Sequence, residues 1–99
     1  MSTDTITKRE TKVNIRKPSM FKVIFNNDDK TPMEFVIEVL MKIFHHDHEA
    51  ATAITLEVHE KGKGVAGVYT FEISEQKATE TVTAARAFGF PLSVTVEPE

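Results

Sequence analysis

Between Met20 and Phe44 the apolar residues change their period, and this change constrains the chain more than any other feature. Phe21, Val23 and Phe25 alternate with Lys22, Ile24 and Asn26, the spacing of a strand with one strongly apolar face. The polar run Asn26-Asn27-Asp28-Asp29-Lys30 ends it. Beyond that break Phe35, Val36, Val39, Leu40, Ile43 and Phe44 recur at three and four residues, the spacing of a helix with one buried stripe. Thr31-Pro32-Met33-Glu34 predicts how that helix starts: Thr31 as N-cap, Pro32 at the first helical position, Glu34 closing a capping box. Its end is predicted near His45-His46. A strand followed at once by an amphipathic helix must bury both faces against each other, so a sheet with helices on it is expected.

The rest of the chain completes that plan. Asp47 is suited to cap a second helix through Ala50, Ala51, Ile54, Val58 and His59, stopping toward Gly62 and Gly64. Val65 to Phe71 is β-branched and aromatic, a second strand with a bulge expected at Gly67. A third helix is predicted from about Ile73 to Phe88, with Ala78, Val82 and Ala85 inward and Gly89 as its stop. Leu92, Val94 and Val96 alternate with Ser93, Thr95 and Glu97 as a last strand. The expected fold is therefore α+β: a two-layer domain, order β-α-α-β-α-β, with a three-stranded antiparallel sheet and three helices packed on it.

Length and charge limit what such a domain can do. With 99 residues there is room for one core, residues 18–99. No cysteine is present, which removes disulfides, thiolate zinc sites and cysteine nucleophiles and fits a reducing compartment. No apolar stretch is long enough to span a membrane, and Met1-Ser2-Thr3-Asp4 does not open a signal peptide, so a cytoplasmic protein is expected. The net charge of −3 argues against sequence-independent binding of nucleic acid. That charge is unevenly placed. Lys8, Arg9, Lys12, Arg16 and Lys17 outweigh Asp4 and Glu10, so residues 1–17 carry +3 and residues 18–99 carry −6. The first stretch reads as a flexible basic arm, stopped by Pro18.

Candidate chemistry is sparse. His45, His46, Asp47 and His48 are contiguous, but neighbouring residues at a helix junction diverge, and no distant ligand is evident; a solvated turn is expected rather than a metal site. A small metal-dependent hydrolase using His45, Asp47 and His48 is the enzyme alternative. Asn27-Asp28-Asp29 lacks the glycine and the closing glutamate of a calcium loop. No nucleophile–base pair and no glycine-rich phosphate loop appears, so neither enzymatic activity nor a cofactor is expected. Turn formation and helix capping account for acids at this loop, and His59 alone near a helix end is by default a partner of the helix C-terminal dipole or a surface residue.

The run Phe21 to Val36, with Asn27-Asp28-Asp29-Lys30-Thr31-Pro32-Met33-Glu34 at its centre, closely resembles the signature of the ClpS family, adaptors of the ATP-dependent Clp protease. The likeness continues through Ala51-Thr52 to Val58-His59, Gly67-Val68-Tyr69-Thr70 and Pro91-Leu92, covering residues 18–99. The resemblance implies an adaptor, not an enzyme. Such a protein binds the free α-amino group and bulky first residue (Leu, Phe, Tyr or Trp) of N-degron proteins. It delivers them to the ClpA unfoldase, which feeds ClpP. A monomer without nucleic-acid or membrane partners is implied.

The resemblance also assigns residues. Asn27 and a neutral His59 ring nitrogen would accept hydrogen bonds from the ammonium, Asp29 would add negative charge, and Asp28 and Thr31 would hold the loop and peptide backbone. Met33, Val36, Thr55, Val58 and Leu92 would wall the side-chain pocket, although Val36, Val58 and Leu92 read as core on periodicity alone. Glu72, Glu75 and Lys77 would meet the unfoldase, and the arm would serve delivery. Three positions depart from the family pattern: Lys30 for a frequent aromatic, Ala66 for a frequent cysteine, and Thr55 for a usual pocket methionine. The last puts the side-chain preference at issue, because Thr is short, branched and polar where Met is long and adaptable. The alternative function is a non-proteolytic α+β interaction module resembling a ribosomal stalk domain.

Overall fold

The computed structural model describes residues 18–99; the basic arm, residues 1–17, lies outside the described residues. The elements follow the expected order: β1 (Met20–Asn26), α1 (Met33–Lys42), α2 (His48–Lys61), β2 (Lys63–Thr70), α3 (Phe71–Ala87) and β3 (Ser93–Pro98). The sheet is antiparallel with strand order β2-β1-β3, so the most apolar strand is central. Val23 and Phe25, both fully buried, face the helices and meet Val36, Val39, Leu40, Phe44, Ala51, Val58, Ala66, Ala85 and Leu92 in one core. The alternate residue Ile24 points to the other face, where Lys22, Lys63 and Glu97 surround it.

Several ends form as the residue types dictate. The Asp47 carboxylate accepts from the Ala50 N–H at 2.8 Å, capping α2. Gly62 closes the same helix in the left-handed region, φ 90°. The β1–β2 register slips between Val23 and Ile24, whose partners are Gly67 and Val65, so Ala66 is the extra residue of a bulge beside the expected glycine.

Other expectations need correction. Thr31 does not cap α1. Its hydroxyl donates to Asp28 Oδ2 at 2.8 Å, while Asp28 Oδ1 accepts the N–H groups of Lys30 and Thr31. Asp28 thus takes Thr31 for a side-chain turn, and Pro32 becomes the boundary residue without a side-chain cap. The capping box with Glu34 does not form. α1 ends at Lys42, earlier than His45-His46, and His45 adopts φ 61°. α3 starts at Phe71 rather than Ile73, and its most buried positions are Ser74, Thr81 and Ala85. Ser74 donates to the carbonyls of Phe21 and Tyr69, and Thr81 donates to that of Lys77, so two polar side chains enter the interior already satisfied. Ala78 and Val82, expected inward, are only half-buried. In the histidine turn, His46 is half-buried rather than solvated, with Nε2 donating to Ala66 O at 2.6 Å.

Candidate functional site

One end of the domain gathers the β1–α1 loop, the start of α1, the end of α2 and the residue before β3. The Asn27 N–H donates to Gly62 O at 2.9 Å, which draws the loop against the C-terminus of α2, where His59 lies. Asp28, accepting three hydrogen bonds, fixes the loop's turn. Burial opposes ionisation of its carboxyl, yet the N–H groups of Thr31 and Lys30, the Thr31 hydroxyl and the Arg86 charge outweigh this and hold its pKa below the ordinary value.

The result is a cleft of about 200 Å³ lined by Asn26, Asn27, Asp28, Asp29, Thr31, Met33, Val36, Thr55, Val58, His59 and Leu92. All ten residues that the sequence nominated for amino-group and side-chain binding border it; Asn26 is the added member. Its composition is split. Asn27, Asp29 and His59 are exposed, whereas Val36, Thr55, Val58 and Leu92 are buried and supply the walls. The Thr55 hydroxyl donates to Ala51 O at 2.8 Å within its own helix, so the polar atom introduced at that wall is already paired. The arrangement offers acceptors and negative charge beside apolar surface, which suits a cationic donor attached to a hydrophobic group.

Glu72 and Glu75 lie elsewhere, on an open groove along α3 with Gln76, Thr79, Glu80, Thr83 and Ala84. Lys77 does not join them on that groove. Its ammonium donates to Ile43 O at 2.7 Å and sits over the rings of Tyr69 and Phe44, at 5.3 and 5.8 Å from their centroids. Among the described residues, no group of three or more His, Cys, Asp or Glu side chains is placed to hold a metal ion. Nor is any described helix long and apolar enough to cross a membrane.

Comparison with known proteins accounts for this architecture. The family model for the ATP-dependent Clp protease adaptor protein ClpS matches residues 16–95. The chain belongs to the ClpS family. The ClpS of Acetivibrio thermocellus is 50% identical over 99 residues, all of both chains, and that of Lawsonia intracellularis is 53% identical over 83 residues, 84% of this chain and 76% of the relative. Among solved structures, Agrobacterium tumefaciens ClpS2 bound to L-phenylalaninamide superimposes with a TM-score of 0.81 at 37% identity, over 84% of this chain and all of the other. ClpS proteins are adaptors of a protease and not the protease itself, which sets aside the stalk-like module.

Sequence reasoning did not foresee the contacts of four side chains of this ClpS chain. Asn26 donates weakly, at 3.4 Å, to the carbonyl and hydroxyl of Ser93. Arg86 donates to Phe90 O and Leu92 O. His46 and Lys77 likewise spend their donors on backbone carbonyls remote in sequence. No local pattern announces such contacts.

Proposed function

We propose that this ClpS chain binds the free α-amino group and a bulky hydrophobic first residue of N-degron proteins. It then passes them to a ClpA-type unfoldase coupled to ClpP, without catalysing a reaction itself. The observation that carries the reading is the convergence of Asn27, Asp29 and His59 on the rim of a cleft whose depth is walled by Val36, Thr55, Val58 and Leu92. The phenylalaninamide ligand of the Agrobacterium relative, a phenylalanine with a free amine, supports it.

The chemistry follows from the groups. An N-terminal ammonium has three donors and one positive charge below its pKa of about 7.7–8.0. Asn27 Oδ1 and a neutral His59 nitrogen accept from it, and the Asp29 carboxylate adds attraction. Asp28 and Thr31 keep the loop in place. An acetylated terminus is uncharged and has one N–H, so acceptors arranged for three donors remain unsatisfied against it. The first side chain enters between Met33, Val36, Thr55, Val58 and Leu92, where burying a Phe or Leu contributes roughly 1.5–3 kcal/mol. Exposed Glu72 and Glu75 are the proposed unfoldase contacts, together with residues 1–17. Lys77, on the same helix and with its ammonium donating to Ile43 O, is proposed with them.

The test is calorimetric titration with a Phe-initiated peptide and its acetylated twin, with and without chelator. Binding of the free peptide, weakened at least about a hundred-fold by acetylation and indifferent to chelator, is expected. That ratio corresponds to two lost charge-assisted bonds. Equal binding of both peptides overturns the reading.

A further inference from the structure

Arg86 stands at the C-terminal end of α3, outside the cleft lining, yet its contacts are with the cleft's far wall. Its Nη1 donates to Phe90 O at 2.7 Å and to Leu92 O at 3.0 Å. These are not helix-end carbonyls in need of a cap. The end of α3 is already closed by the N–H groups of Phe88 and Phe90 on Ala85 O and that of Gly89 on Arg86 O. The guanidinium acts on the loop that follows, tying together the two backbone groups that flank Pro91 and set the place of Leu92. Leu92 is 1% exposed and precedes β3, so no strand hydrogen bond fixes it. The Arg86 charge is also the least of the causes that lower the Asp28 carboxyl pKa, after the hydrogen bonds from Thr31 and Lys30.

We infer that Arg86 is a positioning residue for the first-side-chain pocket: without touching ligand, its Nη1 holds the Leu92 wall at the spacing a bulky side chain requires. The inference rests on the proposed peptide-binding function. A merely structural role would be expected to show in folding. The loop, however, has independent anchors, since Phe90 and Phe88 pack on Phe35 with ring centroids 5.1 and 5.9 Å away. Removing the guanidinium therefore leaves the fold in place and frees the wall.

The experiment compares wild type, Arg86→Ala and Arg86→Lys as full chains. Each is titrated with peptides beginning with free Phe, Leu and Ala, and the Asp28 carboxyl is followed by NMR titration. For Arg86→Ala we expect binding of Phe- and Leu-initiated peptides to weaken about ten-fold, the scale of one net charge-assisted hydrogen bond. The Ala-initiated peptide, which does not reach the wall, should change less than about three-fold. The Asp28 pKa should rise in Arg86→Ala and not in Arg86→Lys, and Arg86→Lys should recover part of the loss. Equal affinities across the three proteins, or a loss independent of the first residue, overturn the inference. If Arg86→Ala does not fold, Arg86→Lys decides: an affinity loss larger for Phe than for Ala supports the inference, and no such difference overturns it. A wild-type chain that binds no free-amine peptide overturns the function on which the inference rests, and the inference with it.

Discussion

Replacing Gly64 with alanine should weaken the fold and the cleft together. Gly64 is buried in β2 opposite Phe25, where α2 crosses closely above the strand. A Cβ at this position would lie 2.9 Å from Val58 Cγ2 and 3.4 Å from Ile54 O. Carbon atoms settle at about 3.5–4.0 Å, so the new methyl is roughly 0.6–1.1 Å too close. Val58 is 4% exposed and cannot swing into solvent. Either α2 lifts from the sheet or the Val58 side chain moves toward the cleft it lines. Overpacking of this kind costs about 1–3 kcal/mol, and the reduced freedom of the unfolded chain returns roughly 0.4–1 kcal/mol. A net loss of about 1–2 kcal/mol is expected, read as a lower midpoint in urea with an unchanged slope. A displaced wall discriminates against bulky groups by about 1–3 kcal/mol, so affinity for a Phe-initiated peptide should fall about ten-fold. An unchanged midpoint and an unchanged affinity would show that the close approach of α2 to β2 does not set the pocket.

Other perturbations reach different parts of the account. Asp28→Ala removes the acceptor of three loop hydrogen bonds. Stability should drop by only on the order of 1 kcal/mol because the loop is partly solvated, while peptide affinity, measured by calorimetry, should fall more than ten-fold. Thr55→Met restores length at a wall whose hydroxyl is already paired, and should change the ranking of Leu, Phe, Tyr and Trp first residues while leaving rejection of acetylated peptides intact; an unaltered ranking in a peptide panel would count against Thr55 as a wall. Burial raises the Tyr69 pKa above its ordinary 10.0. The folded chain then holds that proton more tightly than the unfolded one. This contribution is fully present below pH 10 and is lost as pH rises through the folded pKa, visible as a falling melting temperature that Tyr69→Phe makes shallower.

Much of the fold was legible because local signals agreed with the tertiary demand. The period change after Asn26, the Asp47 cap and the stops at Gly62 and Gly89 mark boundaries by local chemistry alone. The start of α1 was misread because two local motifs compete for Thr31, and the Asp28 turn wins by offering a charged acceptor. The inward face of α3 was misplaced because Ser74 and Thr81 are polar, and only the folded chain supplies the carbonyls that satisfy them. The candidate site was harder still. Val36, Val58 and Leu92 obey core periodicity and border the cleft at once, so pattern cannot separate the two roles. Asn27 and His59 meet through a backbone bond to Gly62, a juxtaposition visible from the family likeness and not from spacing. Arg86 carries no sequence signal, because its partners are main-chain carbonyls.

The central claim is that one cleft reads a free amine and a bulky side chain together. Two-dimensional NMR of the labelled chain during titration with L-phenylalaninamide, and separately with its N-acetyl derivative, tests this most directly. The free amine should shift resonances of Asn27, Asp29, Met33, Val58, His59 and Leu92 in a saturable manner, and the acetylated compound should leave them in place at the same concentration. Equal shifts with both compounds, or shifts confined to the α3 groove of Glu72 and Glu75, would contradict the account.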